Sequence, residues 1–166
     1  MLTEILIKFS DSQAPPCGTI AAHASIIETL GYVWIGKFGS RISETSKKII
    51  LDEIVCHEVY TYFSKRFQGT HTIYAARTLD VKYTSPGNAE YPSYYTGKRV
   101  GAWFKVNSLI RLNVSILGVL MGKASRLPIR VTMDQSQAAM LLVLRDEKVD
   151  VRGMSEKGLQ TLQQMI

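Results

Sequence analysis

The chain has 166 residues, 46% of them hydrophobic, and a formal net charge of +6. This size and composition predict one globular domain over residues 1–166 and exclude a disordered chain. No run reaches the roughly 18 apolar residues of a membrane span, and residues 1–9 lack the basic lead of a signal peptide, so we expect a cytoplasmic protein that does not bind a membrane.

The first third of the chain predicts two strands and two helices. Residues 2–9 are rich in isoleucine and leucine and predict a short strand. Apolar side chains then recur every three or four residues, which predicts a helix with Thr19 as its N-cap and Gly31 just after its end. Residues 32–38 predict a second strand, and Ser43 predicts the start of a second helix.

The rest of the chain is rich in predicted strands. Residues 58–67 and 70–83 are aromatic and β-branched, which predicts a hairpin that turns at Gln68 and Gly69. Proline and glycine recur in residues 84–98 and predict a long ordered loop. The remaining predicted elements are a strand at 99–112, a short helix or turn at 116–121, a basic loop at 122–130, a strand or helix at 138–144 and a terminal helix at 155–166.

This order of elements predicts the α+β class. Helices near both ends flank four to six consecutive strands, and the alternation of strand and helix that is typical of a layered parallel sheet is missing. We therefore expect a strongly curved sheet or a small β-barrel of five to six strands with flanking helices.

Catalytic and metal-binding motifs are not recognisable in the sequence. His23, His57 and His71 have no spacing, among themselves or with the cysteines, that is typical of a zinc site. There is no P-loop, no GxGxxG motif after a strand and no GxSxG elbow. Cys17 and Cys56 are too few for a disulfide framework, and we expect both to be buried thiols. The sequence thus predicts no enzyme, no metal and no cofactor.

The excess of positive charge is confined to residues 91–133. This segment has no carboxylate, and it contains seven of the 20 basic side chains, namely Lys98, Arg99, Lys105, Arg111, Lys123, Arg126 and Arg130. Three tyrosines, Tyr91, Tyr94 and Tyr95, lie at its start. Basic side chains next to aromatic ones predict a surface for an anionic ligand, with phosphate as the first candidate. A solvated basic face that only keeps the chain soluble is the alternative.

Trp34 is a second candidate for ligand binding. The alternation of a strand places Trp34 and Tyr32 on one face, and Val33 and Ile35 on the other. If Val33 and Ile35 face the core, the indole is partly open and can stack on a planar ligand. An aromatic side chain that seals the rim of the core is the alternative. Trp103 and its neighbour are predicted to point to opposite faces of their strand.

Several short motifs follow one another in a fixed order between residues 19 and 137. They are His23 with Ser25 and Ile26, Gly31-Tyr32-Val33-Trp34, Thr61-Tyr62-Phe63-Ser64, Gln68-Gly69, Ile73-Tyr74-Ala75-Ala76, Gly101-Ala102-Trp103-Phe104-Lys105-Val106 and Ala124-Ser125-Arg126-Leu127-Pro128-Ile129. This ordered series resembles the YTH and EVE branch of the PUA-like superfamily. The resemblance implies a small curved β-barrel, with helices packed against it, that receives a modified or flipped base.

The resemblance also implies roles for individual residues. Trp34 matches the tryptophan that forms one wall of an aromatic cage in that branch. Ser125 and Arg126 match a late Ser-Arg step near the nucleic acid, and Lys37 and Arg41 follow the cage tryptophan where contacts to the nucleic-acid backbone are expected.

The chain departs from the family at the second wall of the cage. Family members usually supply a second tryptophan from the loop before the Gly-x-Phe strand, whereas this chain has three tyrosines there. The predicted cage residues are Trp34, Tyr91, Tyr94, Tyr95 and Trp103, and the tyrosine that closes the cage is left open. The predicted phosphate-binding residues are Lys37, Arg41, Lys98, Arg99, Lys123, Ser125, Arg126 and Arg130.

Together these observations predict a reader module that binds nucleic acid and holds one flipped, modified base in the cage. DNA and RNA both stay open, and so does the modification. The alternatives are a sensor or sponge for a free nucleotide or cyclic nucleotide, and a protein-interaction module that buries Trp34 and the tyrosines. Because the chain ends at Ile166 inside an expected helix, an effector domain on a longer parent chain or a partner subunit also stays open.

Overall fold

A computed structural model of the chain describes residues 1–9, 18–67, 70–135 and 138–156. Three predictions fall wholly or mostly outside these residues: the turn at Gln68 and Gly69, the buried thiol of Cys17 and the terminal helix at 155–166. Among the described residues, no helix is both long and apolar enough to cross a membrane.

Seven strands form one sheet in the described part of the chain. They are β1 (Leu2–Lys8), β2 (Val33–Phe38), β3 (Tyr60–Phe67), β4 (Thr70–Lys82), β5 (Val100–Leu112), β6 (Met121–Gly122) and β7 (Met140–Arg145). Their order across the sheet is β2-β5-β4-β3-β1-β7-β6. The pair of β1 and β3 is parallel, and the other described pairs are antiparallel.

The predicted α+β class is confirmed, but the predicted barrel of five to six strands is not. The described sheet has seven strands and two ends, β2 and β6, so it is not closed. The strand that the sequence missed is β6, which lies where the predicted short helix or turn at 116–121 meets the predicted basic loop. Two residues are too short to show an alternating pattern, so β6 depends on its pairing with β7 rather than on a local signal.

Four α-helices lie within the same described residues. They are α1 (Thr19–Leu30), α2 (Glu44–Cys56), α3 (Ile116–Val119) and α4 (Ile129–Gln135). Residues 138–144, predicted as strand or helix, form β7, and α4 begins inside the predicted basic loop. The predicted long loop at 84–98 contains two short 3₁₀ helices, Asn88–Glu90 and Ser93–Tyr95.

The helix ends test the capping predictions. Ser43 is the N-cap of α2, as predicted, and its hydroxyl accepts a hydrogen bond from the Ser46 amide at 3.1 Å. Gly31 ends α1 in the left-handed conformation, with φ at 81°, also as predicted. The prediction for Thr19 is wrong, because Gly18 is the N-cap and Thr19 is the first residue of the helix.

The prediction of a buried thiol at Cys56 is wrong as well. Cys56 is exposed at the last position of α2. Ile50 is the fully buried side chain of this helix, and Leu51 and Ile54 are partly buried against the core. The helix therefore presents one narrow apolar stripe to the sheet, and Cys56 lies outside that stripe.

Two apolar cores cover the two faces of β1. Ile5 belongs to the main core, which includes Val33 and Ile35 of β2 and side chains of α1 and α2. Leu6 belongs to a second core, which includes Ile116 of α3 and side chains of α4 and β7. Both Ile5 and Leu6 are fully buried. The first strand is therefore an interior strand with helices on both sides.

A buried ion pair links β1, β3 and β7. The Glu4 carboxylate accepts hydrogen bonds from Arg145 Nε at 2.7 Å and Nη2 at 3.1 Å. It also accepts hydrogen bonds from the Tyr62 hydroxyl at 2.7 Å and the Tyr60 amide at 2.8 Å. The Glu4 side chain is 0% exposed and that of Arg145 is 6% exposed. The carboxylate thus has four donors in place of water.

Candidate functional site

The five predicted cage residues lie together in one aromatic cluster. Trp34, Tyr91, Tyr95 and Trp103 are buried, and Tyr94 packs against them half-buried. The Tyr91 and Trp103 rings are 4.8 Å apart, and the Tyr95 and Trp103 rings are 5.3 Å apart, between centroids. The sequence thus predicted which aromatic side chains meet, although they lie on three separate segments.

The expected open face of Trp34 is wrong. Val33 and Ile35 do face the main core, as the alternation predicts, but the Trp34 side chain is only 5% exposed on the other face. Residues 88–95 cover that face, and Lys82 Nζ lies 4.5 Å from the centre of the indole ring. The alternation indicated the correct face, but it could not show that a distant segment covers it.

Glu90 holds this covering segment in place. Its carboxylate accepts hydrogen bonds from the Tyr32 hydroxyl at 2.6 Å and the Gly87 amide at 2.7 Å, and Trp34 donates a further one. These bonds, that from Tyr32 above all, lower the pKa of Glu90. This role of Glu90 was not predicted from the sequence. The available signal was that Glu90 is the last carboxylate before a long segment that has none.

A cavity of about 330 Å³ lies next to the aromatic cluster. It is bounded by the end of β1, the start of α1, strand β2, and the side chains of Tyr94 and Tyr95. Its walls are mainly apolar and include Phe9, Ile20, Ile35, Phe38, Tyr94 and Tyr95. The rings of Tyr94 and Tyr95 stack at 4.5 Å, and Phe38 lies 5.2 Å from Tyr95. Ligand sites in proteins start at about 300 Å³, so this cavity fits a small planar guest.

Two of the five cage residues line this cavity, and three support it. Tyr94 and Tyr95 are lining residues, whereas Tyr91 is not. Trp103 and Tyr91 pack against the Tyr95 ring from within the cluster. Phe38 and His23 also line the cavity, although the sequence analysis assigned neither of them to the site.

His23 and Tyr95 form a hydrogen-bonded pair at the cavity. The His23 Nδ1 lies 2.7 Å from the Thr19 carbonyl oxygen, and Nε2 lies 2.9 Å from the Tyr95 hydroxyl. Because a carbonyl can only accept, Nδ1 carries the proton, and Nε2 accepts from Tyr95. Burial lowers the pKa of His23 to about 4, so the ring is neutral at neutral pH. Burial also raises the pKa of Tyr95 well above its usual value.

The Tyr95 ring lies directly on Gly36 of β2. A Cβ atom at Gly36 would lie 2.9 Å from Tyr95 Cε1 and 3.0 Å from Val100 Cγ1. We expect Gly36→Ala to push the ring away and to lower the free energy of unfolding by about 1–3 kcal/mol, as overpacking does. Urea denaturation measures this change. Gly118→Ala is the control, since a Cβ at Gly118 meets nothing within 4 Å, and an equal loss in both variants would contradict the close fit.

Four basic side chains form what we call the basic rim: Lys37, Arg41, Lys98 and Arg99. The segments that carry them adjoin, because the Gly39 amide donates to the Arg99 carbonyl at 3.0 Å. Phe38, a lining residue of the cavity, lies in the first of these segments. Lys98 and Arg99 are exposed. None of these four basic side chains lines the cavity itself, so the basic rim adjoins it only through Phe38, the neighbour of Lys37 in β2.

The contacts of Lys37 and Arg41 leave both side chains at the surface. Lys37 Nζ donates to the Ser40 carbonyl at 2.7 Å, and the guanidinium of Arg41 lies 4.0 Å from the centre of the Tyr83 ring. Arg41 is exposed and Lys37 is half-buried. Neither contact is an ion pair, so both side chains keep their positive charge uncompensated in these contacts.

The other four predicted phosphate-binding residues lie elsewhere. Lys123, Ser125, Arg126 and Arg130 surround β6 and α4, next to β7, at the opposite end of the strand order from β2. Arg126 is exposed and has a positive φ of 59°, in the left-handed region. The Ser125 hydroxyl lies 2.6 Å from that of Thr132. The structure therefore divides the predicted phosphate-binding set into two separate groups.

A second cavity of about 400 Å³ is polar and lies at the other end of β1, near Glu58 and Arg145. Two of its charged lining residues pair with side chains outside the lining: Glu58 pairs with Arg152 at 2.6 Å, and Arg145 pairs with Glu4 at 2.7 Å. Among the residues that the structure describes, no group of three or more His, Cys, Asp or Glu side chains could hold a metal ion. The aromatic cavity with its basic rim is therefore the stronger candidate site.

Residues 5–141 match the model of the Pua-like family. No curated protein and no solved structure matches the chain. The matched range contains the aromatic cluster, the basic rim and β1 to β6 almost entirely.

Proposed function

We propose a function from one premise: the chain belongs to the Pua-like family. PUA-like domains often bind RNA or DNA, and we infer that this chain is a nucleic-acid-binding module. The predicted PUA-like membership is confirmed, whereas membership of the YTH and EVE branch stays a prediction.

One observation supports this proposal above the others, namely the aromatic cavity beside the basic rim. An unstacked base can pack against Phe38 and Tyr94 in the cavity, and base–aromatic stacking contributes about 1–3 kcal/mol per base. Basic side chains next to the cavity can contact the phosphates on either side of that base. The proposed site can thus bind both the base and the phosphate of a nucleotide.

The proposed roles of the cage residues differ from the sequence prediction. We assign base contact to Phe38, Tyr94 and Tyr95, which line the cavity. Trp34, Tyr91 and Trp103 are buried behind that surface, and we assign them to holding Tyr95 in place. A modified base, with the module acting as its reader, remains part of the proposal, because a tight cavity favours the base that fits it.

The basic rim is expected to set the salt dependence of binding. The double variant Lys98→Ala/Arg99→Ala should weaken binding to a fluorescent single-stranded oligonucleotide. It should also reduce the slope of log affinity against log salt by about 1.4, which corresponds to two lost phosphate contacts on a single strand. Fluorescence anisotropy across a range of salt concentrations measures both quantities for DNA and for RNA.

A charge-matched double variant provides the control. Lys148→Ala/Arg152→Ala removes two positive charges around the polar cavity, away from the basic rim, and the slope should not change. Equal slopes in the two double variants would contradict the assignment of phosphates to the rim. Saturation by a mononucleotide with a shallow slope would favour a nucleotide sensor instead, and no binding of any nucleic acid would favour a protein-interaction module.

A further inference from the structure

Exposed apolar side chains are concentrated around α3 and α4. Half of the exposed large hydrophobic side chains in the described part of the chain come from residues 114–131, and they are Val114, Val119, Leu127 and Val131. The same stretch of sequence contains Lys123, Arg126 and Arg130 and no carboxylate. None of these residues lines the aromatic cavity or the polar cavity. The proposed function therefore has no role for this surface.

Two hydrogen bonds join α3 and β6 to the segment that leads into α4. The Ile129 amide donates to the Leu120 carbonyl at 2.7 Å, and the Gly122 amide donates to the Leu127 carbonyl at 2.9 Å. Because Leu120 and Ile129 are fully buried in the second core, the exposed residues next to them lie together on the outer surface. Lys123 is not among them, since its ammonium group donates to a β1 hydroxyl at 3.1 Å. We call this surface the α3–α4 patch, and it comprises Val119, Leu127, Val131, Arg126 and Arg130.

The loop that carries Arg126 is fixed by its own hydrogen bonds. The Arg126 amide donates to the Gly122 carbonyl at 2.9 Å. The Ser125 hydroxyl lies 2.6 Å from that of Thr132 and accepts from the Leu127 amide at 3.2 Å. These bonds hold Arg126 in the left-handed conformation, which is unfavourable for a residue other than glycine. A surface that is ordered before binding loses less conformational freedom when a partner binds.

The two guanidinium groups of the patch have no acidic partner among the residues that the structure describes. Neither the Arg126 nor the Arg130 side chain forms an ion pair or a hydrogen bond with another described side chain. Asp146, the carboxylate that follows β7, accepts from the Lys148 amide at 2.9 Å. The patch therefore combines apolar side chains with two arginines that can each bind a carboxylate through paired N–H donors.

We propose that the α3–α4 patch binds an acidic amphipathic segment of a partner protein, with apolar side chains on one face and carboxylates beside them. The apolar side chains pack against Val119, Leu127 and Val131, and the carboxylates pair with Arg126 and Arg130. Arginine is also the basic residue that is enriched at protein interfaces. The inference goes beyond the proposed function and does not depend on it, because β6 and β2 lie at opposite ends of the sheet.

Other occupants use only part of the patch. Phosphates of a nucleic acid pair with arginine, but bases stack on aromatic rings rather than on valine and leucine. A second copy of the chain in a two-fold contact brings the same guanidinium groups together. Membrane-surface helices usually insert Trp, Phe or Leu side chains, whereas two of the three apolar side chains here are valines. An acidic protein segment fits both the apolar and the basic side chains.

Selection from a display library of random peptides tests the proposal. The library is first depleted on the double variant Arg126→Ala/Arg130→Ala and then selected on the unmodified protein. The enriched peptides should combine acidic residues with apolar residues at helical spacing. An absence of enriched peptides, or enriched peptides without acidic residues, would overturn the proposal.

Fluorescence anisotropy with one enriched peptide, labelled with fluorescein, tests the apolar half of the patch. Val119→Thr/Val131→Thr keeps the shape of both side chains but adds two hydroxyl groups that the peptide would bury, so binding should weaken by about 10-fold or more. This variant is an independent arm, because the selection does not use it. Val55→Thr is the matched control, since Val55 is exposed on α2, and equal affinities in the two variants would overturn the proposal.

Oligonucleotide binding separates this site from the one under the proposed function. Lys98→Ala/Arg99→Ala should leave the affinity for the peptide unchanged, and Arg126→Ala/Arg130→Ala should leave the affinity for an oligonucleotide unchanged. If both double variants weaken the oligonucleotide equally, the patch binds phosphate, so the inference is wrong and the proposed function stands. If the peptide binds and no oligonucleotide does, the proposed function alone is wrong.

Two further measurements cover the remaining occupants. Sedimentation of the protein with vesicles of anionic phospholipid tests a membrane, and size-exclusion chromatography over a range of protein concentrations tests a second copy. Neither vesicle binding nor a dimer that Val119→Thr/Val131→Thr abolishes is expected. Either result would overturn the assignment of the patch to an acidic protein segment.

Discussion

Glu4→Gln is expected to lower the free energy of unfolding by about 3–5 kcal/mol, because breaking a buried ion pair leaves the other charge without its partner. The substitution keeps the shape of the side chain but removes the negative charge that faces Arg145 at 2.7 Å. Arg145 is almost fully buried, so water cannot replace the lost carboxylate. Urea denaturation at pH 7 measures the loss.

Glu58→Gln is the matched control for this prediction. Glu58 pairs with Arg152 at 2.6 Å, but the two side chains are 41% and 57% exposed. Exposed pairs contribute only about 0–1 kcal/mol, so the control variant should remain close to the unmodified protein. Losses of similar size in both variants would contradict the view that burial makes the Glu4 pair critical.

The second large effect is a loss of stability in acid that depends on His23. The unfolded histidine has a pKa of 6.5, whereas burial lowers the pKa of the folded one to about 4. Between these two values the unfolded chain binds a proton that the folded chain does not bind. The contribution of His23 is therefore complete above pH 6.5, falls as the pH decreases towards 4, and changes by about 3 kcal/mol in total.

Urea denaturation of the unmodified protein and of His23→Gln, from pH 7 to pH 4, measures this contribution. Other groups titrate in the same range, so the relevant quantity is the difference between the two proteins in their loss of stability. That difference should be about 3 kcal/mol. Equal pH profiles for His23→Gln and the unmodified protein would contradict the prediction.

Local signals predicted most of the fold correctly. Ser43, followed by apolar residues at helical spacing, marks the start of α2, and Gly31 marks the end of α1. Both signals act through the backbone of neighbouring residues, so the sequence alone contains them. Features that depend on distant pairing were not visible. The two-residue β6 exists through its pairing with β7, and the exposure of Cys56 depends on which stripe of α2 faces the sheet.

In the candidate site, too, the features that depend on contacts between distant segments were not visible in the sequence. The sequence indicated which aromatic residues belong together, because Trp34 and Trp103 lie in the ordered motifs and the three tyrosines lie together at the start of the basic segment. It could not show that residues 88–95 cover Trp34, since that cover depends on the hydrogen bond that the Tyr32 hydroxyl donates to the distant Glu90. For the same reason one basic segment in the sequence became two groups in space, separated by the width of the sheet.

The interior position of β1 has a consequence for synthesis on the ribosome. This strand emerges before the other described strands of the sheet, yet one of its two neighbours, β7, comprises Met140–Arg145 near the other end of the described chain. Until that neighbour has been made, one edge of a strand that is almost entirely buried in the folded protein has no strand to pair with. Such non-local pairing slows folding, and the nascent chain exposes an aggregation-prone edge during that time. The late strand β7 thus protects an edge of β1, which is made before it.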